Sequence, residues 1–187
     1  MLFHLITRLL AVNTKESESI IFYLTMDKMS IAVLVEASEI QRFRGYLDAI
    51  QDFTISGNHA LIFNLFVYDL SLISFQPSYL LSISYPNEEF DSAKLLKRSA
   101  SEMIEEIESI LVQSLRSYGL IRSSNSYVGE YTLSGFWEQL KPCINYESAT
   151  IYKYTDESKY LQFLFWFKYI IYDPIQGRCL ILHGASN

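Results

Sequence analysis

The sequence predicts an α+β domain in which a central antiparallel β-sheet of about four to six strands carries helices mainly on one face. Three observations lead there. Helical periodicities come early along the chain and strand-like runs cluster at its end, an order that favours an antiparallel sheet over alternating βαβ units. Asp173-Pro174-Ile175-Gln176-Gly177 separates two of those runs and reads as a hairpin loop. Half of the 187 residues are apolar and 19% are charged, a balance that excludes a disordered chain. A chain of this length buries about 70% of the surface its unfolded form exposes and needs no staples.

Leu2–Val12 reads as a short buried helix, and beyond the polar break Thr14–Ser19 the stretches Ser19–Thr25 and Ser30–Val35 read as strands. From Ser38 to Asp52, Ile40, Phe43, Leu47 and Ile50 follow a helical period, with Ser38 as the expected N-cap. Gly57-Asn58 marks a turn before His59–Phe75, a strand or strand pair rich in Leu, Ile, Phe and Val, with a bend expected at Asp69. Pro77–Ser84 is expected to be a short helix and Tyr85–Asp91 a polar loop.

The basic stretch Lys94–Arg98 is assigned to a helix start. Ser99 and Glu102 have capping-box spacing, and Met103, Ile107, Leu111, Leu115 and Tyr118 give the helix that follows an apolar face, ended by Gly119. Ser123–Glu130 is a Ser/Asn/Gly loop, and Leu133–Leu140 a helix stopped by Pro142. Ala149–Tyr154, Leu161–Tyr172 and Arg178–His183 complete the set as strands.

Several functions are excluded by what the chain lacks. A net charge of −6 with thinly spread Lys and Arg offers no cationic stripe, so direct nucleic-acid binding is not expected. Among seven glycines none forms a phosphate-cradling or nucleophile-elbow pattern. Three His and two Cys do not supply a metal-ligand set: Cys179 and His183 share a strand face but fall short of the four ligands of a structural zinc site. No cofactor, metal, catalytic residue or membrane span is expected, and two cysteines suggest a reducing compartment. The abundance of aromatics, fourteen Tyr and twelve Phe, suits half-exposed strands and wet interfaces. Tyr85, Pro86, Glu88, Glu89, Phe90 and Asp91 mix aromatics with carboxylates on a loop, a composition better suited to docking than to catalysis.

Tyr85-Pro-Asn-Glu-Glu-Phe90 resembles the Tyr-Pro-Asp-x-Asp-Phe-Ser block of the Maf-one family, eukaryotic repressors of RNA polymerase III transcription, and Tyr79-Leu80-Leu81 stands where that family has a short apolar helix. Trp137 lies fourteen residues before Ile151-Tyr152-x-Tyr154, the family's interval. Leu161–Asp173, ending Tyr169-Ile-Ile-Tyr172-Asp173, is similar to its Trp-x-x-x-x-Phe-Phe-Tyr-Asn strand, and Gly57-Asn58 to Tyr68 to its Gly-Asp…Glu-Ser-Tyr strand. The resemblance spans about Leu47 to Leu182 and leaves residues 1–40 as a poorly matched N-terminal extension to one domain, 41–187.

There are departures. Trp166 stands one place after the family's Trp, Pro174–Arg178 lacks its basic run, and Phe75 runs into Tyr79 without its long regulatory linker.

The resemblance implies a monomer, nuclear and cytoplasmic, without cofactor or catalysis. It would dock on RNA polymerase III near the clamp, with a TFIIIB subunit as a further candidate contact, and prevent engagement of TFIIIB. Trp166, Tyr169, Tyr172 and Asp173 join the loop residues as candidate contacts. An alternative is a non-enzymatic interaction module of a trafficking or scaffold type. A third reading, an enzyme using the Glu88–Asp91 loop or Cys143 with His59 or His183, requires a deep pocket joining those groups.

Overall fold

The apolar residues of the first amphipathic stretch form one helix face: Ser38–Thr54 is α-helical and buries Ile40, Phe43, Leu47, Ile50 and Thr54. A computed structural model of the chain describes residues 21–22, 32–54, 61–70, 74–117, 127–156, 158 and 162–186. Within them the order is β1 (Ile21–Phe22), β2 (Val33–Leu34), α1 (Ser38–Thr54), β3 (Leu61–Asp69), α2 (Pro77–Ser84), β4 (Leu95–Arg98), α3 (Ala100–Ser117), α4 (Tyr127–Leu140), β5 (Thr150–Tyr154), β6 (Phe165–Asp173) and β7 (Arg178–Ser186). Leu2–Val12, Gly57-Asn58, His59 and Gly119 lie outside the described residues.

The described strands form one antiparallel sheet of seven in the order β1-β2-β3-β7-β6-β5-β4, of which β1 and β2 are only two residues long. Its centre is β7, paired along nine residues with β3 on one side, Leu61↔Ser186 to Asp69↔Arg178, and with β6 on the other, Phe165↔Ser186 to Asp173↔Arg178. Side chains alternate between the faces. Leu61, Leu65, Val67, Phe167, Tyr169, Ile171, Leu180 and Leu182 pack under α1, α3 and α4. Tyr68, Ile170, Cys179 and Ile181 point the other way, under Leu80 and Leu81 of α2 with Ala32 and Leu34. Coverage of both faces explains why Leu161–Tyr172 reads as an almost continuous apolar run.

Close approach fixes one glycine. A Cβ on Gly184 would sit 2.5 Å from Cζ of the buried Phe167 ring, so the bare backbone of β7 makes room for that ring. The β6–β7 hairpin turns at residues 174–177, with Gly177 at φ 63°. Asp173 Oδ1 accepts from the Ile175 and Gln176 amides at 2.8 and 3.2 Å. Ala32, Leu34 and Ala37 are buried, so the packed unit includes residues from the N-terminal forty.

Four boundaries differ from the sequence reading. Lys94–Arg98 is not a helix start: Ser92–Lys94 form a 3₁₀ turn and Leu95–Arg98 an edge strand pairing Leu95↔Tyr154 to Arg98↔Ile151. Pairing with β5 outweighs local helix propensity there, and lysines are at home on a sheet edge. Ser38 is the first helical residue, not the cap, because the Ala37 carbonyl accepts from the Ile40 and Gln41 amides, both at 3.0 Å. Asp69 ends β3 without bending it midway. α4 begins at Tyr127, inside the expected loop.

The capping box is formed. Ser99 Oγ accepts from the Glu102 amide at 3.2 Å and Glu102 Oε2 accepts from the Ser99 amide at 2.7 Å. Ser99→Ala is expected to lower stability by about 1 kcal/mol, read as a lower urea midpoint with an unchanged slope.

Candidate docking face

The Tyr85–Asp91 block leaves the end of α2, where the Tyr85 amide donates to Leu81 O at 2.9 Å, and runs across the sheet's second face. That face is mostly apolar, but one row across its three central strands is polar: Asn64 of β3 lies opposite His183 of β7, and His183 opposite Lys168 of β6. The Lys168 side chain is 0% exposed. Its Nζ lies 3.7 Å from the centroid of the Tyr85 ring and 4.9 Å from that of Phe90, and donates to Glu88 Oε2 at 3.3 Å. Desolvating an ammonium costs several kcal/mol, which an ion pair and two ring faces offset.

The two rings are themselves wedged. Tyr85 packs edge-on against Phe66 at 5.2 Å and His183 at 6.0 Å, and Phe90 against Tyr154 at 5.1 Å. His183 is buried, with Nδ1 3.5 Å from Asn64 Nδ2. Burial, and after it the Lys168 charge, pushes the imidazole pKa down to about 3. It is therefore neutral at physiological pH and leaves Lys168 as the one cation of that row.

Of the candidate contacts, Pro86, Glu89 and Asp91 are exposed on the loop, with Asn87 between them. Asp91 Oδ1 accepts from the Ala93 amide at 2.9 Å and fixes the loop's exit. Tyr85, Glu88 and Phe90 are half-buried and turn inward to Lys168. Trp166 and Tyr172 lie half-buried on the same face, Tyr172 stacked on Phe75 at 4.3 Å and 8°. All eight thus belong to one side of the sheet.

Tyr169 and Asp173 are elsewhere. Both are buried and, by strand alternation, face the opposite side. The Tyr169 hydroxyl donates to Glu106 of α3, which also accepts from Lys153, and burial with that bond raises the phenol pKa. Asp173 holds the hairpin turn. Neither side chain reaches the surface, so the contact role expected of them gives way to a role in packing. The parity of β6 carries this information: Trp166, Lys168 and Tyr172 share one face, Phe167, Tyr169 and Asp173 the other.

The cysteines are packing residues. Cys143 is buried, its thiol donating to Gln139 O at 3.3 Å, and burial pushes its pKa up to about 11. Cys179 shares the second face with His183, fully buried, and burial raises its thiol pKa as well. Among the described residues no group of three or more His, Cys, Asp or Glu is placed to hold a metal ion, and no helix is long and apolar enough to cross a membrane. A cleft of about 310 Å³ runs along β3, lined by Leu34, Arg44, Leu47, Asp48 and residues 63–66; it contains neither Cys143 nor the loop carboxylates.

Comparison with known proteins adds one finding. Two crystal structures of citrus MAF1, in space groups P 31 2 1 and C 2 2 21, superpose on the chain with a TM-score of 0.52 each and 16% sequence identity. They cover 75% of this chain and 98% and 97% of theirs. The chain has a MAF1-like fold. Nearly the whole of each crystallised citrus MAF1 chain is thus matched by part of this protein, and the likeness is one of MAF1 architecture at low identity. No protein-family model matches the sequence, and neither does any curated protein.

Proposed function

We propose that this protein represses RNA polymerase III transcription by binding the polymerase, near its clamp, and blocking engagement with TFIIIB. The observation that carries the reading is the MAF1-like fold at near-complete coverage of the crystallised citrus MAF1 chains, in a chain that keeps the Tyr85–Phe90 block on a loop over the sheet. Repression of this kind is competition by occupancy. An acidic and aromatic surface covers a partner site, complementary charge guides the encounter, and no bond is made or broken. The protein acts as a monomer without cofactor, in the nucleus with a cytoplasmic pool, and makes no direct contact with nucleic acid.

The test is in-vitro transcription from a tRNA promoter with purified polymerase III. Added before TFIIIB, the protein is expected to suppress initiation; added after TFIIIB and polymerase have assembled, it is expected to have much less effect. Equal transcription in both orders, with and without the protein, would overturn the reading.

A further inference from the structure

A buried lysine in the middle of a sheet face calls for an explanation. Methionine or leucine would fill about the same volume at position 168 without the desolvation cost, and whole buried ion pairs exchanged for apolar residues in other cores often leave stability unchanged or raised. What an ammonium does that a methyl group cannot is demand partners. At Lys168 three of those partners come from one short segment: Tyr85, Glu88 and Phe90. The three residues between them, Pro86, Asn87 and Glu89, are left outside, the first two and Glu89 all exposed.

The loop's own backbone bonds from Tyr85 N to Leu81 O and from Glu88 N to Tyr85 O are local and do not tie it to the sheet. The cage does. His183 supports it from the neighbouring strand, because a neutral ring beside Lys168 adds an edge contact to Tyr85 without a competing charge.

We infer that Lys168 is the positioning residue of the docking loop: clamped by Tyr85, Phe90 and Glu88, it fixes the loop on the sheet so that Pro86, Asn87, Glu89 and Asp91 face a partner. The identity of that partner rests on the polymerase reading above; the positioning role does not. Three of the loop's residues, Tyr85, Glu88 and Phe90, are spent on holding it, which leaves the exposed ones preorganised and lowers the ordering cost of association. The lysine touches no partner itself.

The experiment compares the full chain with its Lys168→Met and Lys168→Arg variants by hydrogen exchange and by polymerase III capture. Lys168→Met is expected to fold, with exchange of the Glu88 amide faster by about tenfold and weaker capture, while helix α3 amides are unchanged. Lys168→Arg keeps the cation over the rings and is expected to fall between. Should Lys168→Met not fold, Tyr85→Leu removes the ring and leaves the ion pair, with the same readout. Unchanged Glu88 exchange overturns the positioning role. Faster exchange with undiminished capture overturns the link between this loop and docking. If the unmodified chain captures no polymerase, the functional reading fails while the exchange data still decide the role of Lys168.

Discussion

Phe43→Ala is expected to lower the unfolding free energy by about 3–5 kcal/mol, a large share of the roughly 5–15 kcal/mol typical of a domain. Phe43 is 0% exposed and meets Phe136 of α4 edge to face at 5.4 Å. Phe136 in turn stands edge-on to Trp137 at 5.0 Å, and the Trp137 indole donates to Glu108 of α3 at 2.8 Å. One ring therefore anchors a contact line through all three helices of the first face. Deleting it leaves a void that these neighbours cannot close without moving off the sheet. The measurement is guanidinium unfolding followed by circular dichroism, with Phe53→Ala as control. Phe53, on the same helix but 77% exposed, is expected to change stability by no more than about 0.5 kcal/mol. Equal losses in the two variants would show that α1 does not pack as described.

Acidification supplies the second large effect. His183 has a folded pKa of about 3, well below the roughly 6.5 of an exposed imidazole, so between those values the unfolded state binds the extra proton. Its contribution is fully present above about pH 6.5, falls by about 2 kcal/mol by pH 5, and levels off near the folded value. The carboxyls of Glu102 and Asp156, held low by hydrogen bonds with Ser99 and Ser158 respectively, lose their contributions only below the ordinary carboxylate range. A slope between pH 6.5 and 5 is thus assigned to the imidazole. Thermal melts across that window are expected to drop for the unmodified chain and to flatten in His183→Gln. A parallel drop in both proteins would place the proton uptake elsewhere.

The sequence made some of this visible and hid the rest for identifiable reasons. Periodicity found α1 and α3 because their apolar residues recur on one face and all of the core residues named for α1 are buried. The capping box and the Asp173–Arg178 hairpin were visible because both are local, settled by a few neighbouring residues. The strand at Leu95–Arg98 is not legible locally because its structure is decided far along the chain, by pairing with β5 at Ile151–Tyr154. The Tyr85–Asp91 loop is legible in the sequence, but the inward turn of Tyr85, Glu88 and Phe90 is not. Lys168 stands inside an apolar run of the sequence, and only the fold shows that it lies against Tyr85, Glu88 and Phe90. The family resemblance groups Tyr169 and Asp173 with Trp166 and Tyr172 as one block, whereas counting by twos along the strand separates them.

The outer side of β3 has one more consequence. Beyond its brief pairing with β2, its backbone is met by side chains of α1: Thr54 Oγ1 accepts from the Leu61 amide at 3.1 Å, Gln51 Oε1 from the Phe63 amide at 3.5 Å, and Arg44 donates to Leu65 O at 3.3 Å. A helix here does with three polar residues what a neighbouring strand would otherwise do. Sheets with bare rims tend to recruit strands from other molecules and grow into aggregates. By occupying that rim from within, α1 makes the protein's solubility depend on a helix whose better-known duty is to cover the core.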